Sequence, residues 1–117
     1  MPFLFFEKGG RHMLESAFQS ELIQELKQIF PGCYVIKNDA NYIQGFPDLT
    51  ILYKNMWAVL ECKKSLREPY RPNQEYYIEK LDDMSFSSMI CPENKEAVLY
   101  ELQHTFRPRR ASCFSER

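Results

Sequence analysis

The strongest constraint on this chain is an apolar strand that ends in two charges, Trp57-Ala58-Val59-Leu60-Glu61-Cys62-Lys63. Burying such a strand normally excludes charge, because an unpaired ion in an apolar environment is expensive to desolvate. Strand periodicity sends Glu61 and Lys63, two residues apart, to one face and turns the Cys62 side chain to the other. A second apolar run, Leu49 to Tyr53, precedes it, with Asp48 at its mouth and Lys54-Asn55 as the turn between the runs. In a hairpin the end of one strand lies beside the start of the other, so Asp48 and Glu61 converge. Two carboxylates that close repel unless a cation lies between them. Oxygen ligands of this kind suit Mg²⁺ or Mn²⁺.

The remaining elements fall around this hairpin. Leu14 to Phe30 reads as an amphipathic helix, with Leu14, Phe18, Leu22, Leu26 and Ile29 on one stripe, and Pro31-Gly32 ends it. Cys33 to Lys37 is a short strand. Asn38 to Pro47 is a loop rich in Asn, Asp and Gly. Ser65 to Pro72 is a polar loop, and Asn73 to Asp83 is a second helix with Asn73 available as its cap. Phe86 to Cys91 makes a fourth strand. Glu93 to Phe106 is a closing helix with Ala97, Val98, Leu102 and Phe106 at helical spacing. The order α-β-β-β-α-β-α predicts an α/β fold, a mixed four-stranded sheet with helices on its faces.

Two helices each turn a polar residue toward the hairpin. Glu15 lies within about 40° of the centre of the first helix's apolar stripe, an anomaly unless it points at a site. Glu21 and Glu25 stand at the margin of that stripe, which makes Glu21 the reserve for the same role. Gln74 shares a face with Tyr77, Ile78 and Leu81 at i, i+3, i+4 and i+7, so it points inward from the second helix's first turn. The pair Tyr76-Tyr77 divides between core and surface.

Length and composition set the limits. The 117 residues suffice for one domain, expected over residues 13 to 106. Residues 1 to 12 form a flexible leader or a non-native addition, and residues 107 to 117 a basic, frayed tail. A composition that is 44% hydrophobic and 26% charged is that of a globular domain. No apolar run approaches a membrane span, and the apolar start, Met1 to Phe6, lacks the features of a signal peptide. A cytoplasmic location is expected. Cys33, Cys62, Cys91 and Cys113 show no zinc spacing, and without a secretory signal they predict no disulfide framework. His12 and His104 have no partners at catalytic spacing. A formal net charge of -1 weighs against nucleic-acid binding. Against that, acidic metal ligands add charge that bound cations offset, and the basic residues are bunched in Lys63, Lys64, Arg67 and Arg71 and in Arg107, Arg109 and Arg110.

Pro47-Asp48 followed thirteen residues later by Glu61-Cys62-Lys63 resembles the PD-(D/E)xK nuclease superfamily. Gly45-Phe46-Pro47-Asp48, Glu61-Cys62-Lys63 and Pro72-Asn73-Gln74 look like its VRR-NUC branch, close to small phage-type and Holliday-junction-resolvase-like nucleases. The resemblance covers nearly the whole domain from Glu15 onward, departing at Cys62, where the family tends to carry Val or another apolar residue.

The resemblance implies a restriction-endonuclease-like core and a metal-dependent endonuclease that hydrolyses DNA phosphodiester bonds, acting on branched, flap or junction DNA. Such a protein belongs in the cytoplasm of a bacterium or phage-infected host cell. The resemblance further implies Mg²⁺, with Mn²⁺ as a substitute, held by Asp48, Glu61, the Cys62 backbone carbonyl and Glu15. Lys63 would position or help deprotonate the attacking water, and Gln74 would orient the site or touch a phosphate. Lys64, Arg67 and Arg71 would contact the DNA backbone, and symmetric cutting by so small a domain would need a homodimer.

Plainer readings stand beside these. Asp48 could be a turn residue after proline, Glu61 and Lys63 an edge pair that blocks aggregation, Glu15 a first-turn acid and Gln74 a surface residue. The alternative functions are a non-catalytic DNA- or protein-binding module of the same fold, or an unrelated α/β interaction domain.

Overall fold

A computed structural model describes residues 14–107 of the chain; the leader, Cys113 and the tail beyond Arg107 lie outside the described residues. Among these, three helices flank a mixed four-stranded sheet. The elements are α1 (Glu15–Ile29), β1 (Tyr34–Lys37), β2 (Leu49–Tyr53), β3 (Met56–Cys62), α2 (Gln74–Met84), β4 (Ser87–Ile90) and α3 (Lys95–Thr105). The strands lie in sequence order across the sheet. β1 pairs antiparallel with β2, β2 antiparallel with β3, and β3 parallel with β4. The parallel pair needs a crossover, which α2 supplies while packing on both of its strands.

The sheet's two faces have different jobs. Leu49, Ile51, Ala58, Leu60, Cys62 and Ile90 share a core with Phe18, Leu22 and Leu26 of α1 and Val98, Leu99 and Leu102 of α3. Alternation along β3 puts Trp57, Val59 and Glu61 on the opposite face, toward α2. At the end away from the charges, Phe30, Tyr53 and Phe106 form an aromatic cluster with centroid separations of 5.1 to 5.9 Å. An ion pair from Lys95 to Glu25 at 2.8 Å joins α3 to α1, which accounts for Glu25 at the stripe's margin.

Several details differ from the sequence expectation. Leu14 is the N-cap of α1 and 69% exposed, because the burying stripe begins one turn later, at Phe18, and ends at Phe30 rather than Ile29. Ala97 is exposed and Leu99 takes its place in the core. Asn73 precedes α2 but makes no side-chain cap; its φ of 72° is left-handed, which turns the chain sharply into the helix. β3 lies between β2 and β4, so Glu61 and Lys63 are not an edge pair.

Gly45 explains how the Asn38–Pro47 loop is held. Its φ is +88°, and a Cβ there would meet Asn73 Cβ at 2.6 Å and the Pro72 carbonyl at 2.7 Å. The loop therefore rests backbone-to-backbone on the entry to α2, and only glycine permits it. Gly32, with φ +89°, has nothing within 4 Å of such a Cβ. The two glycines separate backbone strain from steric contact. Gly32→Ala is expected to lose about 1–2 kcal/mol for left-handed backbone alone. Gly45→Ala should lose about 2–5 kcal/mol, with overpacking added. Urea denaturation of both variants checks this; equal losses would mean that the contact with Pro72 and Asn73 carries no energy.

Candidate active site

Asp48 stands where the hairpin register places it. Leu49 pairs with Leu60, so the next position of the ladder sets Asp48 opposite Glu61. Its backbone continues the pairing with β1, accepting the Asn38 amide at 2.7 Å. Toward β3 its side chain takes over: Oδ2 accepts the Cys62 amide at 2.9 Å. The Cys62 amide and carbonyl point toward β2, as residues of a strand alternate between their two neighbours. The carbonyl is thus directed to the side where Asp48 lies. The Cys62 thiol belongs to the core, and burial pushes its pKa up to about 12, so it stays protonated and unreactive.

On the α2 face, one amide connects Glu61 of β3 with Lys63, the residue just past its end. Gln74 donates from Nε2 to Glu61 Oε2 at 2.8 Å, while its Oε1 accepts from Lys63 Nζ at 2.7 Å and from the Arg71 amide at 2.7 Å. Two donors facing one oxygen fix which way the amide points. Lys63 Nζ also donates to the Pro69 carbonyl at 3.2 Å and stands 4.0 Å from Glu61 Oε2. Glu61 and Lys63 are 3% and 2% exposed, and Gln74 is buried with them rather than lying on the surface. The network is satisfied except at one point: Glu61 Oε1 is buried without a hydrogen-bond partner among the described residues. Such an orphan is uncommon in a folded protein and calls for a cause.

Asp48, Glu61, Lys63 and Gln74 open together onto a cavity of about 480 Å³, and Glu15 reaches its wall from the start of α1. Of the three basic residues expected at the DNA backbone, Arg71 lines the cavity, whereas Lys64 and Arg67 are exposed and do not. Glu21 is exposed and takes no part in the wall, because it lies well round the helix from Glu15. Sequence reasoning missed Glu68, which lines the cavity and accepts the Lys64 amide at 2.7 Å, and missed Asn41 and Gln44 on the facing loop. No periodicity marks these loop positions; only their nearness to the motif residues hinted at them.

The electrostatics follow from crowding acids in a sheltered place. Burial, reinforced by Asp48, raises the Glu61 pKa to about 8. Burial also raises Asp48, opposed by the hydrogen bond from Cys62, and raises Glu15, where Glu68 and Asp48 add to the effect. A divalent cation would relieve this crowding. No three His, Cys, Asp or Glu side chains among the described residues are gathered closely enough to hold a metal by themselves. The donors on hand are two carboxylates and a backbone carbonyl, leaving the remaining positions to water. Mg²⁺ accepts that arrangement, since it gives up its own waters reluctantly and often takes only one or two carboxylates. The orphaned Glu61 Oε1 is the atom that such an ion would satisfy.

The raised Glu61 pKa has a signed consequence for stability. Unfolded, this carboxyl titrates near 4.5; folded, near 8. Between those values the folded chain holds the extra proton, so metal-free stability is expected to fall as pH rises across that window. Denaturation in EDTA from pH 4.5 to pH 8 should show the decline, and Glu61→Gln should flatten it; an unchanged slope would assign the effect elsewhere. No family model, curated protein or solved structure matches the chain.

Proposed function

We propose that the protein is a metal-dependent endonuclease that hydrolyses DNA phosphodiester bonds, with a site of the PD-(D/E)xK type and VRR-NUC-like character. The observation that carries the reading is the pairing of Asp48 with an orphaned Glu61 carboxylate oxygen beside a lysine held at the same cavity. The element order and mixed sheet support a restriction-endonuclease-like core.

Asp48, Glu61 and the Cys62 carbonyl would hold Mg²⁺ or Mn²⁺, with Glu15 joining through water. When bound, the metal supplies a lowered pKa for the attacking water and neutralises charge on a non-bridging phosphate oxygen. The protein's own groups do the rest. Gln74 and the Pro69 carbonyl fix Lys63 Nζ at the cavity, where it can orient the attacking water and offset charge that develops on the phosphate. Arg71, on the wall, can receive an adjoining phosphate. The Cys62 amide fixes the orientation of the Asp48 carboxylate through Oδ2, and the other oxygen would be the one offered to the metal.

Linear, flapped and four-way-junction DNA, each with Mg²⁺, Mn²⁺ or EDTA, tests the proposal. Cutting should require metal and fall by on the order of 10²–10³-fold in Asp48→Ala and Lys63→Ala. Activity that survives both substitutions would sink the assignment. DNA binding without cutting by the wild type would leave a non-catalytic module of the same fold. Metal binding also has a readout apart from activity: millimolar Mg²⁺ should raise the unfolding midpoint at pH 8 and fail to do so in Asp48→Ala.

A further inference from the structure

Beside the catalytic cavity lies a second hollow of about 400 Å³, lined by Asn38, Asp39, Tyr42, Ile43 and Phe46. Phe46 is common to both, so the two spaces adjoin at that residue. Phe46 is itself steadied from behind by Tyr77, with ring centroids 5.6 Å apart in an edge-on arrangement. Tyr42 is 84% exposed, an aromatic ring presented to solvent from a loop whose base is locked at Gly45. We propose that this hollow docks an unpaired nucleobase of the DNA strand being cut, stacked against Tyr42. The proposal rests on the nuclease reading and deepens it: the preferred substrate carries unpaired nucleotides next to the scissile phosphate.

The chemistry of the hollow matches a base better than a phosphate or an aliphatic side chain. Its walls are two aromatic rings and an isoleucine, suited to a flat π-face. Two of the residues that line it also carry acceptors. Asn38 spends its amide nitrogen on the Pro47 carbonyl and Thr50 Oγ1, leaving its own Oδ1. Asp39 engages Oδ1 with the Asn41 amide, leaving Oδ2. Acceptors on residues that line an aromatic hollow complement the exocyclic amino group of adenine, cytosine or guanine. The formal net charge of -1 agrees with a hold on nucleic acid that does not rest on phosphate contacts alone. Stacking supplies such a hold on a strand. A base inside a duplex cannot reach such a slot without being flipped out, so strands already unpaired gain most.

The test uses the full chain in two arms. Since Tyr42 is largely exposed, its replacement leaves the core untouched. In the first arm, Asp48→Ala protein is mixed with a single strand containing 2-aminopurine, a base analogue whose fluorescence falls on stacking. Quenching is expected, with affinity reduced by about tenfold on adding Tyr42→Ala and kept on adding Tyr42→Phe. In the second arm, flapped and fully duplex DNA are cut by otherwise wild-type protein. The flap-to-duplex ratio of kcat/KM should fall by about tenfold in Tyr42→Ala, through KM, and persist in Tyr42→Phe. Absent quenching, or equal behaviour of Tyr42→Ala and its parent, overturns the base site even if DNA is cut. Quenching that depends on Tyr42 without cutting by any protein keeps the base site and overturns the nuclease reading instead.

Discussion

A central strand that carries a glutamate and a lysine into a buried position imposes conditions on everything around it. Each charged group must find partners without water, and in this fold they come from α2 and the loop before it. Gln74 reaches both charges from the first turn of the crossover helix, and the Pro69 carbonyl comes from the loop. The left-handed Asn73 and the contact of Gly45 with Pro72 and Asn73 set where that helix begins. The crossover is therefore more than a connection between parallel strands. It completes the site that β3 starts.

The arrangement is held by hydrogen-bond geometry rather than by direct charge pairing. Glu61 and Lys63 stand 4.0 Å apart, at the outer limit of an ion pair, with an amide satisfying both. A buried direct pair must recover two desolvation penalties from one attraction. One atom, Glu61 Oε1, is left without a partner, and burial beside Asp48 raises the Glu61 pKa. Perturbed acids beside a cavity are a common mark of functional sites.

The central part of the site was legible in the sequence because it obeys strict periods. Alternation of two fixed the common face of Glu61 and Lys63, and a two-residue turn fixed the register that brings Asp48 opposite Glu61. The helical period correctly turned Gln74 inward and Glu15 toward the cavity. What escaped lies where no period operates. Glu68, Asn41 and Gln44 come to the cavity on loops, and the paths of those loops depend on left-handed residues and backbone contacts. Lys64 and Arg67 adjoin Lys63 in sequence but stand exposed and off the cavity wall, because once the strand ends, adjacent residues leave its face. Leu14 and Ala97 match the apolar pattern but are exposed, Leu14 just before the first turn of α1 and Ala97 one residue ahead of the buried Val98 and Leu99 of α3.

The Gln74 amide also acts as a spacer between Glu61 and Lys63. Glu61 gains or loses its proton near pH 8, and a partner held by charge alone would be gripped or released with it. The amide between Glu61 and Lys63 binds each through a different atom and has no acidic or basic form of its own near neutral pH. It holds them a fixed distance apart, with 4.0 Å between Lys63 Nζ and Glu61 Oε2, without relying on the charge of either group.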